Sequence, residues 1–288
     1  MSKTILCTVS DDRSGRKGGQ YQSTQDKVCK IFIQNRVFDE QHHWNINQII
    51  NSTKTEEPEI NSFYQANKVM LDNPDAAING RLYKPFVILQ SLKKMNDGDY
   101  LIYNDVSPEM WTMNERFFFN PDIYDIEVIK ELCRRSNDLL VAFVKWAPEN
   151  FDKYPLGIHT HHYFTLEPCI NAMGAEKYRD SYLCASGMIC IRKTHETMQI
   201  IREWIYWNEM WECASIGNPE IPGDESLWNN REDYKLGCRH DQSILSILLN
   251  KRNWNFVDIV YNHISPYNFL NFCRKDHDYK FINSNIKP

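Results

Sequence analysis

A chain of 288 residues with a formal charge of -5 and no basic block carries no nucleic-acid footprint, and it is long enough to bury a core without staples. Its nine cysteines are odd in number, scattered and free of any C-x-x-C pair, which excludes a disulfide framework and a zinc knuckle and points to a reducing compartment. No apolar run approaches the ~18 residues of a membrane span, and the stretch after Met1 is too short for a signal peptide, so a soluble cytoplasmic chain without a transmembrane segment is expected. Thr4 to Val9 is an apolar, weakly alternating run that meets Ser10-Asp11-Asp12, which predicts a first strand ending in a polar loop. That loop, Asp11 to Gln25, carries Arg13, Arg16, Lys17 and Gly18-Gly19, but it lacks the spacing of a P-loop or a dinucleotide fingerprint and reads as a surface loop.

Periodicity does not decide between helix and strand for Asp26 to Asn35. Phe63, Ala66, Val69 and Met70 keep helical spacing until Asn73-Pro74, which predicts one helix over Phe63 to Leu71. Gly80 then supplies a turn, Pro85 suits a first helical turn, and Val87, Ile88, Ser91 and Leu92 share a face. Lys84 stands just before that helix, at the end that attracts anions. Asp97-Gly98 opens a short aromatic and branched run, Tyr100 to Tyr103, which Pro108 cannot continue; the strand stops on Asp105. Ligands of open α/β sheets sit beyond the carboxyl ends of strands, so a carboxylate there is where a metal or phosphate site would be built. The plainer alternative is that Asp105 and Ser107 cap the next turn.

Pro121-Asp122 predicts a helix over Ile123 to Cys133, and Leu139 to Val144 reads as another buried strand. His159, His161 and His162 are set aside as a metal cluster, because neighbouring strand residues face opposite ways and no third ligand is evident; Ile158 to Thr165 reads as a loop or acceptor-side strand. Tyr182 to Arg192 is a strand interrupted at Ser186-Gly187, where a glycine marks a bulge or the close approach of a ligand. Thr194 caps a long amphipathic helix with Met198, Ile201, Ile205 and Met210 as core candidates beside Trp204, Trp207 and Trp211. Ser215 to Arg231 reads as a substrate-side loop. Asp241 is placed as the N-cap of a helix whose buried stripe is Ile244, Leu245, Leu248 and Leu249, yet Arg239, His240 and Gln242 crowd the same point, and a cap needs none of them.

Four segments in this order resemble a group of small GT-A fold glycosyltransferases from polysaccharide-building loci: Asn79-Gly80-Arg81-Leu82-Tyr83-Lys84-Pro85, Gly98 to Asp105, Ala185-Ser186-Gly187 with Arg192-Lys193-Thr194, and Arg239-His240-Asp241-Gln242-Ser243. The resemblance spans residues 79 to 252. It implies an α/β fold of the GT-A, Rossmann-like kind, a mixed central sheet flanked by helices, as a single domain over 1–288. Residues 1–110 would mainly bind nucleotide and 111–288 mainly acceptor. It also implies manganese or magnesium, a nucleotide-diphosphate sugar donor such as a UDP-sugar, and a glycan acceptor. Asp105 falls on the first carboxylate of the family's Asp-x-Asp motif and Ser107 on the second, a poor ligand for a hard cation. His263 is the positional candidate for a third metal ligand.

The chemistry wants these groups. Cleaving an anomeric carbon to diphosphate bond puts negative charge on the leaving group and positive charge on the sugar ring. Lys84 would assist the diphosphate, while Asp241 would face the ring or the acceptor hydroxyl. The Asp-Gln context of Asp241 resembles that of sugar-retaining enzymes; for inversion, Asp224 and Glu225 become rival bases. Donor contacts are expected from Thr8, Val9 and Ser10, from Lys84, Asn104 and Asp105, from Ser186 and Gly187, and from Gln242. The competing readings are a GT-A-like domain that binds glycan or nucleotide without catalysis, and a metal-dependent hydrolase, which lacks closely spaced ligand sets.

Overall fold

The computed structural model describes residues 2–13, 20–108, 111, 116–143, 160–222, 224, 226–229, 239–258 and 269–285. The run at Thr4–Ser10 forms β1, every residue of it buried. Helix α1 (Gln20–Gln34) leads to β2 (Glu40–Asn45), and short helices α2 (Ile46–Ile50), α3 (Pro58–Ala66), α4 (Lys68–Asp72) and α5 (Ala76–Asn79) lead to α6 (Tyr83–Lys93) and β3 (Tyr100–Asn104). Beyond them come α7 (Ile126–Arg135), β4 (Leu139–Leu140), α8 (His161–Phe164), α9 (Glu167–Ala172) and β5 (Met188–Arg192). The last third holds α10 (His195–Glu209), α11 (Trp211–Ala214), α12 (Ser226–Asn229), α13 (His240–Lys251), β6 (Asn255–Asp258) and β7 (Lys280–Asn283). Among the described residues no helix is long and apolar enough to cross a membrane.

Five strands form one mixed sheet in the order β2-β1-β3-β5-β4. β1 runs parallel to both β2 and β3, and β5 is antiparallel to β3 and β4. Side chains alternate across the sheet. Ile5, Cys7, Leu101, Tyr103, Ile189 and Ile191 pack under α6, α10 and α13, while Leu6, Tyr100, Ile102 and Cys190 pack under α1 and α7. The result is an α/β architecture with helices on both faces, compatible with a Rossmann-like fold. The chain leaves β1 for β2 on one side and returns to β3 on the other, so the carboxyl edge between β1 and β3 is a topological switch point.

Several local expectations are settled or corrected. Asp26 to Asn35 is helical almost to its end, within α1. Phe63 to Leu71 is two helices that meet at Asn67, whose φ of -118° leaves helical geometry while its side-chain amide bonds the Phe63 carbonyl and Glu209, each at 3.0 Å. The helix expected at Ile123 begins at Ile126, where the Asp125 carboxylate accepts the Glu127 N–H. Leu139 to Val144 keeps strand pairing with β5 for two residues, after which Ala142 and Phe143 make isolated bridges to Val257 and Cys184; Val144 lies outside the described residues. Thr160 bridges Tyr182, but His161–Phe164 is a short helix rather than a strand or loop. The interruption before β5 is present: Cys184 pairs with Phe143, the pairing lapses over 185–187, and the strand resumes at Met188.

Candidate functional site

Three separate pieces of chain deliver the charged residues to one point. Asp105 follows β3, and its N–H donates to the Gly187 carbonyl at 2.8 Å, so the antiparallel register of β3 and β5 brings Ser186-Gly187 beside it. Lys84 is the second residue of α6 rather than standing just before it, and α6 packs on the same sheet face as α13. Asp241 lies in the first turn of α13, whose ten residues from Asp241 to Asn250 are all buried. The N-cap of that helix is Arg239, not Asp241. The Asp241 side chain points instead to the other two elements, and its backbone carbonyl is held by the Trp204 indole N–H at 2.8 Å.

At the centre is the Lys84 ammonium, its side chain only 2% exposed. Nζ lies 3.1 Å from Asp241 Oδ2, 3.3 Å from Asp105 Oδ1, and 3.4 Å from both oxygens of Ser186. Ser186 in turn donates its hydroxyl to Asp241 Oδ2 at 3.0 Å. The Tyr103 hydroxyl donates to Asp105 Oδ1 at 2.6 Å, and the Lys84 ammonium stands 5.5 Å from the centre of the Tyr103 ring. Burial and the adjoining Asp105 carboxylate hold the Tyr103 phenol well above its usual pKa, so it remains a donor. The Asp105 backbone carbonyl accepts the Trp111 indole N–H at 2.7 Å. A buried pair of carboxylates is tolerable only with cations alongside, and Lys84 is that cation. Asp105 keeps 17% of its side chain exposed, which leaves it open to a ligand, whereas Asp241 is closed off at 2%.

In the sequence Arg81 stands out only as part of the segment from Asn79 to Pro85. Burial opposes its charge most strongly, but the Asp241 and Asp105 carboxylates more than offset this and hold its pKa above the ordinary value. The Tyr83 phenol is likewise raised, first by burial and then by the Asp11 carboxylate. Neither group could have been found by periodicity; a Gly-Arg pair just ahead of a helix was the only signal.

The metal expectation rests on Asp105, Ser107 and His263. His263 lies outside the described residues. Asp105 Oδ1 already accepts from Tyr103, and both of its oxygens face Lys84. Ser107 is buried and is not free. Among the described residues no group of three or more His, Cys, Asp or Glu side chains could hold a metal ion. Hard cations draw their oxygen ligands to about 2.0–2.6 Å, and here an ammonium fills the space between the two carboxylates. Asp105 and Ser107, the two described residues of the expected set, do not by themselves fit a divalent metal.

Other candidates are placed elsewhere. Thr8 and Ser10 turn to the face under α1, where Gln25 donates to Thr8 Oγ1 at 2.9 Å and Asn45 donates to Ser10 Oγ at 3.0 Å. Val9 packs into the core on the opposite face. Asn104 is a strut: its Oδ1 accepts the Phe269 N–H at 2.9 Å and its amide donates to the Asp105 carbonyl. Asp224 braces its own loop, accepting from the N–H groups of Asn218 at 2.7 Å and Ser226 at 2.9 Å; these backbone bonds lower its pKa. It shares no hydrogen bond or ion pair with the Lys84 cluster among the described residues, and Glu225 lies outside them. Gln242 is buried beside Asp241 with its amide nitrogen unpartnered. No family model matches this chain, and no curated protein or solved structure matches it significantly.

Proposed function

We propose that this chain is a GT-A-type glycosyltransferase that moves a sugar from a nucleoside-diphosphate donor to a glycan hydroxyl. The observation that carries the reading is the meeting of Asp105 and Asp241, far apart in sequence, on one buried lysine at the carboxyl edge of the sheet beside its switch point. In this reading the bond from the anomeric carbon to the diphosphate oxygen breaks and its electron pair leaves on the diphosphate, where Lys84 offers positive charge in a low-dielectric site. Asp241, closed off from direct contact and fixed by Lys84 and Ser186, acts through its negative field on the positive charge that grows on the ring, while the acceptor oxygen forms the new bond and its proton passes to the departing diphosphate oxygen, with retention of configuration favoured. Asp105, more exposed, positions the donor. A second reading, a binding domain without transfer, draws on Ser107 standing where the resembling family has its second carboxylate.

The test is diphosphate release from a panel of UDP- and GDP-sugars, with and without manganese. At least one donor should be hydrolysed slowly, and Asp105→Asn should cut release on the order of 100-fold, as losing a preorganised electrostatic partner does, with the melting temperature within a few degrees of the parent. Binding without any release from any donor would leave the second reading standing instead.

A further inference from the structure

We infer that Arg81, backed by the fixed charge of Lys84, holds the anionic diphosphate of the donor, and that this pair takes the place of a divalent metal. The inference rests on the glycosyltransferase reading. Its starting point is a strained backbone. Arg81 has φ of 53° and follows Gly80 at φ 58°, so two consecutive residues lie in the left-handed region. Gly80 has no room to be anything else, since a Cβ there would come within 2.6 Å of the Ala214 Cβ. Arg81 has no such excuse. Glycine would hold its conformation with less strain, and an unfavourable backbone kept under a long charged side chain is the kind of strain that collects at ligand sites.

The turn is locked from both sides. Asn79 Oδ1 accepts the Arg81 N–H at 2.8 Å, and the Arg81 carbonyl accepts the Lys84 N–H at 2.9 Å, which couples the two cations through one turn at the head of α6. Lys84 spends its ammonium on Asp241, Asp105 and Ser186. The Arg81 guanidinium makes no ion pair within 4 Å and no side-chain hydrogen bond to a described residue, although the carboxylates of Asp241 and Asp105 are near enough to hold its charge. A half-buried planar cation with its N–H fork unengaged suits a bidentate phosphate contact. A dication at Asp105 would instead have to displace the Tyr103 hydroxyl and lie against a fixed ammonium.

Titration calorimetry with UDP and with GDP, in EDTA and in manganese chloride, tests this on the full chain. One nucleotide should bind in EDTA with a Kd within about threefold of its value in manganese. Arg81→Gln should weaken that binding about 30-fold or more, the scale of losing a charge-assisted fork. Arg81→Gly should weaken it as much while melting no lower than the parent, since glycine relieves the backbone; that separates a lost contact from a damaged fold. Binding more than tenfold tighter in manganese, or Arg81→Gly binding like the parent, would overturn the inference and leave the transferase reading intact. If neither nucleotide nor any nucleotide sugar binds in either buffer, the transferase reading itself fails and takes this inference with it.

Discussion

At the carboxyl end of β1, Thr8 accepts from the Gln25 amide, Ser10 accepts from Asn45 and donates to Gln22, and the Gln25 amide also reaches the Trp44 carbonyl at 2.9 Å. One strand over, at the end of β3, Asp105 meets Lys84, Asp241 and Ser186. Both knots are buried and polar, and both lie where an open α/β sheet places its ligands. The first is neutral, and its donors and acceptors answer one another within the fold. The second concentrates two carboxylates and an ammonium, which cost more to desolvate than a fold needs to spend on holding two helices and a strand together. A neutral, satisfied network specifies packing, whereas a charged one beside an arginine unengaged among the described residues is the place where the proposed ligand would be met.

Three perturbations would break or sharpen this contrast. The largest effect belongs to Lys84→Met. Removing the ammonium leaves Asp105 and Asp241 without their contacting cation and with only the more distant Arg81 charge to offset them, which should cost about 3–5 kcal/mol, read as a drop in the urea midpoint at constant slope. Adding Asp241→Leu to that variant should recover part of the loss; strictly additive losses would mean the two residues do not form one unit. The middle effect belongs to Gln25→Leu. It removes the amide that serves Thr8 and the Trp44 carbonyl, while Ser10 keeps Gln22 and Asn45, and should cost about 1–3 kcal/mol with nucleotide affinity unchanged. A tenfold fall in affinity would instead make the end of β1 part of the donor site and dissolve the contrast.

The smallest concerns a third buried polar group, His161, which is tied to Thr165 at 2.8 Å and approached by the Asn250 amide at 3.5 Å. Burial pushes its pKa down to about 3, so the folded protein keeps it neutral while the unfolded chain protonates it near pH 6.5. Between those values the unfolded state binds the extra proton. Stability from this group is complete above about pH 6.5 and falls with acidity by about 1.4 kcal/mol per pH unit. At pH 5.5 the parent should be weaker by that amount relative to neutral pH, and His161→Asn should flatten this part of the acid limb in urea titrations. An unchanged slope would show that His161 is not buried neutral, and that the fold accepts charge more freely than the contrast supposes.

Much of the scaffold was written locally. The run Thr4 to Val9, the stop after Tyr103, the break at Ser186-Gly187 and the Thr194 cap with its Thr197 partner each follow from a few adjacent residues, because strand alternation, chain-breaking and capping act within one or two turns. The motif residues Lys84, Asp105 and Asp241 stood out as well. Their roles did not: Asp241 had the composition of a cap, Thr8 and Ser10 had the position of base contacts, and Arg81 had nothing but a glycine before it.

By itself, then, the chain's sequence determined that β1, β3, β5 and the helix after Thr194 exist, and that two carboxylates and a lysine stand near element termini; several other boundaries it left open or misplaced. Only the tertiary structure decided that residues 84, 105, 186 and 241 share one set of hydrogen bonds and ion pairs, which face of β1 its hydroxyls take, and that the Arg81 fork is unengaged among the described residues. Local pattern specifies the direction of a side chain relative to its own element. Contact across more than a hundred residues depends on how α6 and α13 pack against the same face of the sheet, and no short stretch of sequence encodes that packing.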